Sequence, residues 1–255
     1  MKNIALYFGS FNPIHTGHLA VVQTILDRGF ADEARLVVSP HNPLKDVAGL
    51  APETDRLEMA EIAVGNLGDP RVRVCDIEFT LPKPSYTFQT LDALRKTCPA
   101  ENFSILMGED SIVEFTKWKN FSTIADSTPI WVYARSGCNR RDWYRHPHVK
   151  PLEDVPDLDV SATQIRGWLA AGSPEAVKWL PAGVFEYIRE KGLYRPSAAD
   201  HIACGKRHCQ HGDFGPALND FSQALALDPG NAKALAYIEM LNEILAFRHK
   251  DIYNP

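Results

Sequence analysis

Two histidines three residues apart, His15 and His18, stand near the start of the chain in the stretch GSFNPIHTGHL, residues 9–19. On the first turn of a helix, residues at this spacing lie on one face, so both imidazoles can donate N–H groups to the same ligand. Phosphate oxygens are acceptors that suit such a pair. The alternative is that one or both imidazoles only cap or pack the helix, but the preceding loop favours a functional role.

That loop has the residues of a phosphate site. Gly9 lets a ligand approach the backbone closely, and Ser10 and Asn12 offer short polar groups. Pro13 fixes the turn into a helix whose free N–H groups favour an anion. The sequence contains neither the GxxxxGK[ST] pattern of a Walker loop nor the GxGxxG dinucleotide fingerprint, so the histidine pair takes the place of the usual lysine.

A second polar segment, VSATQIR over residues 160–166, lies far downstream. Ser161 is an N-cap candidate, Thr163 lies in the first turn of the predicted helix, and Arg166 carries a planar, permanent charge that suits phosphate. The alternative is an ordinary capped helix with a surface arginine.

Alternating strands and helices are predicted to position both segments. Apolar runs and helical spacing predict strands over Ile4–Phe8, 34–40, 71–79, Phe103–Met107, Ile130–Ala134 and Leu158–Val160, and helices over Leu19–Leu26, 53–67 and Thr87–Lys96. This alternation predicts the α/β class, as a Rossmann-like, doubly wound parallel sheet covered on both faces. Ligands of such sheets bind beyond the carboxyl ends of the strands at the switch point, and residues 9–19 follow the first strand.

The composition favours one sizeable domain with a smaller appendage, because the chain has 255 residues, of which 45% are hydrophobic. A net charge of −5 shows no global basic excess, so we expect no nucleic-acid partner. No stretch resembles a signal peptide or reaches the length of a membrane span, so we expect no membrane partner. Five scattered cysteines suit free thiols, and we therefore expect a cytoplasmic protein.

GSFNPIHTGHL resembles the HxGH signature of the nucleotidyltransferase superfamily, and VSATQIR resembles its Ser-x-x-Thr-x-x-Arg type element. Five further segments resemble those of the nicotinate-mononucleotide adenylyltransferases, namely SPHNPLK (39–45), TDRLEMAEIAV (54–64), PSYTFQTL (84–91), MGEDSIVEFTKW (107–118) and ARSG (134–137). The resemblance covers residues 1–195 and implies a catalytic domain that transfers the adenylyl group of ATP to nicotinate mononucleotide in NAD biosynthesis, releasing pyrophosphate.

The resemblance also implies site residues. It implies His18 and His15 as catalytic residues and, at ATP, the set Gly9, Ser10, Phe11, Asn12, His15, His18, Gly108, Asp110, Ser161, Thr163 and Arg166. At the acceptor it implies Trp118 stacked on the nicotinate ring, Tyr86 and Thr87 near its carboxylate, and the basic residues Lys45 and Arg135 near phosphate. An electron-poor pyridinium does stack well on indole. Trp118 could instead be core, and Lys45 and Arg135 could be solvated surface charges.

Two positions depart from the family pattern. Asn12 stands where many bacterial relatives have aspartate, and Ala162 replaces a frequent second serine. Neither change removes a phosphate donor, so the expected activity is unaffected.

The expected mechanism is direct in-line attack by the mononucleotide phosphate on the α-phosphorus of ATP, because no serine or cysteine is obviously activated for covalent catalysis. His18 is the candidate for the main transition-state contact and His15 steers the phosphates. The sequence shows no dedicated metal cage, so Mg²⁺ is expected to arrive with ATP.

Residues 196–255 are predicted to form a separate helical extension after the polar stretch RPSAAD (195–200). The extension resembles one tetratricopeptide unit, whose spacing is carried by Gly205, Ala217, Phe221, Ala224 and Pro229. One unit rarely buries its own apolar faces, so we expect it to pack on the catalytic domain, a second subunit or another protein.

A competing interpretation of the extension is a metal site, because His201, Cys204, His208, Cys209 and His211 crowd eleven residues. Their spacing fits no familiar zinc finger, and a buried cysteine commonly serves as a small hydrophobe. We therefore predict no metal ligands here.

Two other kinds of function stay open. One is a related transferase acting on nicotinamide mononucleotide or phosphopantetheine, against which the segments around Trp118 and 39–45 argue. The other is a non-catalytic scaffold that works through its helical tail, against which His15, His18 and Arg166 argue.

Overall fold

The computed structural model describes residues 1–41, 49–135, 147–156 and 160–252. Its internal contacts divide the chain into two compact units, Met1–Tyr194 and Arg195–Pro255. Within the described ranges, no helix combines the length and the apolar character needed to cross a membrane.

The first unit is built on a six-stranded sheet with the order β3-β2-β1-β4-β5-β6, in which every neighbouring pair is parallel. The strands are β1 Lys2–Gly9, β2 Glu33–Val38, β3 Val72–Cys75, β4 Glu101–Gly108, β5 Ile130–Tyr133 and β6 Val149–Leu152. The predicted doubly wound sheet is confirmed. Because β1 pairs with both β2 and β4, the chain reverses its direction of travel across the sheet beside β1, and this is the switch point.

Helices cover both faces of the sheet. They are α1 Thr16–Asp27, α2 Glu53–Leu67, α3 Thr87–Thr97, α4 Glu109–Val113, α5 Phe121–Ser127, α6 Ala162–Ala170, α7 Glu175–Trp179 and α8 Val184–Lys191. Alternate residues of β1 point to opposite faces, as strand geometry requires. Ala5 and Tyr7 join the core under α1 and α2, whereas Ile4 and Leu6 join the core under α3 and α5.

The last strand differs from the sequence prediction. Of the predicted strand Leu158–Val160, the first two residues lie outside the described ranges, and Val160 is not in a strand. The outer strand is instead β6, which reads VKPL and buries only its first and last residues. Its proline and its two exposed positions hide the strand signal, and such a sequence is tolerated at a sheet edge. The extended run predicted over 71–79 is likewise shorter, because a 3-10 helix over Ile77–Phe79 follows β3.

The second unit consists of α9 Ala198–His211, α10 Phe214–Leu227 and α11 Ala232–Ile252. Phe221 is fully buried at its centre and stacks on Tyr237 with ring centroids 4.6 Å apart. A Cβ atom on Gly205 would lie 2.8 Å from the Phe221 ring, so glycine allows α9 and α10 to approach closely. The unit is helical as predicted, but the tetratricopeptide resemblance is not confirmed.

Candidate active site

The loops that follow β1 and β4 open into one cleft with a volume of about 890 Å³, within the range of small-molecule sites. Every sequence-predicted site residue that the structure describes lines it, namely Gly9, Ser10, Phe11, Asn12, His15, His18, Tyr86, Thr87, Gly108, Asp110, Trp118, Arg135, Ser161, Thr163 and Arg166. Lys45 lies outside the described residues. The switch point therefore brings together side chains from segments more than 100 residues apart.

The two histidines share the first turn of α1, as their spacing predicted. His15 is the extended N-cap residue, and its backbone N–H donates to Nδ1 of His18 over 3.1 Å. The imidazole rings lie against one another with centroids 3.7 Å apart. Because Nδ1 of His18 accepts a hydrogen bond, the proton of its neutral ring is on Nε2, which makes Nε2 the donor nitrogen of this ring.

Gly17 is the residue that makes this arrangement possible, although sequence reasoning assigned it no role. A Cβ atom at this position would lie 2.9 Å from Nδ1 of His15, closer than real side chains approach. Any other residue would displace the His15 ring. The spacing of two histidines around a glycine was the signal that could have identified this packing constraint.

His15 is buried, with 4% of its surface exposed. Burial, and then the nearby Arg135 guanidinium, lower the pKa of His15 to about 4. Its Nδ1 atom has no hydrogen-bond partner in the described part of the chain. His15 is therefore a neutral imidazole at pH 7 that can contribute a hydrogen bond but no charge.

The His18 ring rests on aromatic side chains. Phe11 meets it edge to face with centroids 5.1 Å apart, and Tyr7 lies at 5.9 Å. The Tyr7 hydroxyl shares a buried hydrogen bond of 2.6 Å with the Tyr133 hydroxyl, and burial raises the pKa of both phenols. Sequence reasoning missed Tyr7 and Tyr133. Their place at the carboxyl ends of β1 and β5 was the available signal.

The buried side-chain amide of Asn12 links the loop after β1 to two other segments, through both its nitrogen and its oxygen. Its Nδ2 donates to the Gly49 carbonyl over 3.0 Å, while Oδ1 accepts from the Ala51 N–H and from the Tyr194 hydroxyl. The Asn12 carbonyl accepts from Arg166 over 2.8 Å. These contacts give the Asn12 side chain a positioning role in the cleft lining, and its contact with ATP stays a prediction.

The second motif forms the start of α6. Ser161 is its N-cap, as predicted, and its hydroxyl accepts from the Gln164 N–H in a reciprocal capping box. The Ser161 hydroxyl is therefore engaged in capping, and Ser161, Ala162 and Thr163 at the start of α6 line the cleft. Arg166 donates to the Thr163 hydroxyl and to Asn12, which fixes the guanidinium across the loop after β1.

A further part of the cleft lining, formed by Tyr86, Thr87, Trp118 and Lys119, is aromatic and basic. Trp118 is half-buried and meets Phe115 edge to face at 5.4 Å, so it is both cleft wall and core edge. Tyr86 is the N-cap of α3, whose first residue is Thr87. The Lys119 ammonium lies 4.5 Å from the centre of the Tyr86 ring. This wall offers a helix N-terminus and a cation to an anionic group, and a flat ring to an aromatic one.

Arg56 is a further residue that sequence reasoning missed, although it lies in the TDRLEMAEIAV segment. It is 1% exposed and its guanidinium donates to the backbone carbonyls of Ser10, Ser39, Pro40 and Ala51, at 2.6, 2.7, 2.7 and 3.0 Å. Burial lowers the pKa of Arg56. Arg56 thereby ties the loop after β1 to the segment after β2. An arginine among the apolar residues of an α2 face was the only signal in the sequence.

Comparisons with a family model, with curated proteins and with solved structures all find nucleotidyltransferases. The model of the family described as cytidylyltransferase-like matches residues 6–167. A protein of Cytophaga hutchinsonii named "Probable nicotinate-nucleotide adenylyltransferase" is 42% identical over 163 residues, which are 64% of this chain and 83% of the relative. A protein of the same name from Flavobacterium johnsoniae is 36% identical over 194 residues, 75% of this chain and 98% of the relative. The solved structure of Plasmodium falciparum nicotinic acid mononucleotide adenylyltransferase complexed with NaAD shares the fold, with a TM-score of 0.66, 20% identity and coverage of 76% of this chain and 98% of that one.

The depressed pKa of His15 predicts an acid-sensitive fold. The unfolded chain takes up this proton near the ordinary value of 6.5 and the folded chain near 4, so the stabilising effect is complete above 6.5 and is lost as the pH falls toward 4. We expect a loss of up to about 3 kcal/mol between about pH 7 and about pH 4 from this group. Urea unfolding across that range should show a shallower decline for His15→Gln than for the unmodified chain. The exposed His148→Gln is the control, and equal slopes in both variants would contradict the prediction.

The carbonyl contacts of Arg56 predict a large stability loss on their removal. Arg56→Met leaves buried carbonyls without donors, and we expect the free energy of unfolding to fall by about 3–5 kcal/mol. Arg56→Lys should recover part of this loss, because one ammonium can reach fewer carbonyls. Arg73→Met, whose parent side chain is 66% exposed, is the matched control in thermal denaturation. An Arg56→Met protein as stable as this control would refute the assignment.

Proposed function

The chain belongs to the cytidylyltransferase-like family and, within it, to the nicotinate-nucleotide adenylyltransferases, and from this membership we propose how its residues transfer the adenylyl group of ATP to nicotinate mononucleotide. The observation that carries the proposal is the meeting of His15, His18 and Arg166 in one cleft at the switch point. These residues supply hydrogen-bond donors and a fixed positive charge where a triphosphate can lie against the start of a helix.

The reaction is a single displacement. A phosphate oxygen of the mononucleotide attacks the α-phosphorus of ATP, and the bond from that phosphorus to the oxygen shared with the β-phosphate breaks. Pyrophosphate leaves with that oxygen, and the two nucleotides are joined through a new pyrophosphate bridge. Catalysis then consists of alignment and stabilisation of the negative charge that develops on the α-phosphate.

His18 is the main catalytic residue in this proposal. Its Nδ1 is held by the His15 N–H, so its Nε2–H is directed as a donor to an oxygen of the α-phosphate. Contact with Phe11 and Tyr7 restricts the ring to this orientation. His15 adds a neutral donor, and Arg166, anchored on Asn12, supplies the charge that holds the outgoing phosphates.

Mg²⁺ would be held by the phosphate oxygens of ATP, and it would supply positive charge that offsets the negative charge on the leaving pyrophosphate. Of the residues that the structure describes, the one set of three that could hold a metal ion belongs to the second unit and includes no residue of the cleft lining. Asp110 is an exposed carboxylate at the cleft, with an oxygen 3.8 Å from Arg135. We assign it to the nucleotide, where a carboxylate can accept from ribose hydroxyls.

The acceptor occupies the aromatic wall. Trp118 stacks on the pyridinium ring, and the carboxylate on that ring meets the N-terminal turn of α3 at Tyr86 and Thr87. Lys119, placed over the Tyr86 ring, increases the positive potential at this end. A nicotinamide ring carries no negative charge there, which is the physical basis for selecting nicotinate.

The second unit takes no part in this scheme. We propose residues 1–195 as the catalytic domain and residues 196–255 as a helical extension that binds a second copy or another protein. Exposed Leu227, Leu235 and Phe247 support such a contact. Free thiols at Cys75, Cys98, Cys204 and Cys209 support a cytoplasmic location.

Removal of His18 tests the catalytic assignment. We expect His18→Ala to lower kcat by about 100- to 1000-fold, the usual effect of losing a donor that acts mainly in the transition state, with a much smaller change in KM for ATP. Release of pyrophosphate from ATP and nicotinate mononucleotide is the measurement. The exposed His148→Ala is the control, and circular dichroism reports the fold. Turnover within a few-fold of the parent in a folded His18→Ala protein would exclude this role.

Acceptor choice tests the aromatic wall. We expect kcat/KM to be higher for nicotinate than for nicotinamide mononucleotide, and KM for the nicotinate substrate to rise about 10-fold in Trp118→Ala, since lost stacking and burial are worth about 1–2 kcal/mol. Trp118→Phe keeps a flat ring and should restore most of the affinity. Equal efficiency with both acceptors would defeat the carboxylate contact, and an unchanged KM in Trp118→Ala would defeat the stacking contact.

A further inference from the structure

The second unit holds a cluster of donor side chains that the transfer reaction does not use. Cys204 and His208 lie one turn apart on α9, and Asp220 reaches them from α10. One donor atom from each of the three lies within 4.8 Å of the other two, and all three side chains are half-buried. A thiol, an imidazole and a carboxylate thus converge from two different helices.

His201 belongs to the same cluster. It lies one turn before Cys204 on α9, and its Nδ1 is 3.6 Å from Oδ1 of Asp220. The other carboxylate oxygen is 2.8 Å from Nδ1 of His208. The Asp220 carboxylate therefore lies between two imidazoles, with the Cys204 thiol on the same helix face.

The donor cluster and the hydrophobic core use different faces of α9. Ile202, Gly205 and Cys209 form one stripe of this helix, and each is buried or packs against the core around Phe221. His201, Cys204 and His208 form the neighbouring stripe, at the half-buried margin of the contact with α10. The sequence interpretation treated packing and metal binding as alternatives, and it had no means of placing Asp220 beside the histidines.

We propose that Cys204, His208, Asp220 and His201 form a zinc site that joins α9 to α10. Donor atoms around one Zn²⁺ lie about 3–4 Å apart, because the bonds are about 2.0–2.3 Å long and tetrahedral. The donor atoms of Cys204, His208 and Asp220, which lie within 4.8 Å of one another, approach this spacing, and His201 is placed as the fourth ligand by its distance of 3.6 Å from Asp220. Sulfur and imidazole donors select zinc over Mg²⁺ and Ca²⁺, which prefer oxygen.

The role of the ion is structural. Four protein donors close a tetrahedral zinc site and leave no open position for a substrate. A helical unit of this size has a small core, here Ile202, Ala217, Phe221, Ala224, Ala234 and Leu241 among the described residues. In small units with few buried residues, a metal cross-link between helices adds substantially to the stability of the fold.

Cobalt substitution in the untagged full-length chain tests the site. After chelator treatment and dialysis, Co²⁺ should bind with one equivalent per chain, giving the intense visible bands of tetrahedral coordination and a sulfur-to-cobalt charge-transfer band. One equivalent of Zn²⁺ should displace it. We expect Cys204→Ser to abolish the charge-transfer band and to weaken Zn²⁺ binding at least about 100-fold, since even residues that only support a metal ligand contribute about 10- to 100-fold.

Matched variants separate the cluster from other donors. Cys209→Ser and His211→Gln change residues on the same helix outside the cluster and should retain one equivalent of Co²⁺ with the charge-transfer band. Asp220→Asn and His201→Gln should each weaken binding, and unchanged affinity in His201→Gln would remove this residue from the site. Circular dichroism without metal establishes that each variant keeps its helices.

Two results would overturn the proposal. A Co²⁺ spectrum without charge transfer in the unmodified chain would leave His208 and Asp220 as a simple hydrogen-bonded pair. Binding that survives Cys204→Ser but is lost in His18→Ala would place the ion at the cleft histidines instead. Pyrophosphate release should be unchanged in Cys204→Ser, so failure of the zinc site and failure of the transfer reaction are distinguishable.

Discussion

One backbone hydrogen bond, from the His15 N–H to Nδ1 of His18, determines how the cleft can act on phosphate. It fixes the protonated nitrogen of His18, and the His15 ring lies directly against the His18 ring in the same turn. That contact in turn requires a residue without a side chain at position 17. The aromatic rings of Phe11 and Tyr7 pack against the His18 ring and restrict its rotation. The Nε2–H donor of His18 is therefore aligned before any ligand binds, which is the condition for electrostatic catalysis.

The support beneath this turn is a buried cation without a carboxylate partner among its described contacts. Arg56 donates hydrogen bonds to buried backbone carbonyls of the two loops. Without this donor these carbonyls would be buried without a partner. Asn12 and Arg166 continue the same network on the other side of the loop. Beside the two histidines the positive charge is carried by Arg166, whose guanidinium is fixed by hydrogen bonds, while the buried His15 stays neutral because of its low pKa.

The sequence allowed β1 to β5, helices α1 to α3, the start of α6, the helical extension and the location of the cleft to be predicted, because β1 and α1 show strong periodicity and the HTGH stretch has a strict spacing. It did not predict α4, α5, α7 and α8. It did not allow β6 to be predicted, since VKPL contains too few apolar residues for an alternating pattern. Tyr133, Tyr194 and Arg56 were missed because each acts through a contact with a residue far away in the chain. Asn12 and Ser161 both line the cleft, and the cap hydrogen bond of Ser161 follows its predicted N-cap position. The contacts of the Asn12 side chain could not be predicted, because its partners Gly49, Ala51 and Tyr194 lie far away in the chain.

The two edge strands of the sheet, β3 and β6, carry residues that oppose aggregation. In the described part of the chain, β3 exposes Arg73, and β6 exposes Lys150 and Pro151. A proline has no N–H to offer to an incoming strand, and a charged side chain at the margin would be desolvated if a second sheet docked there. Each border of the sheet thus carries a chemical obstacle to edge-to-edge association, which guards the enzyme against aggregation while its helices are still assembling on the strands.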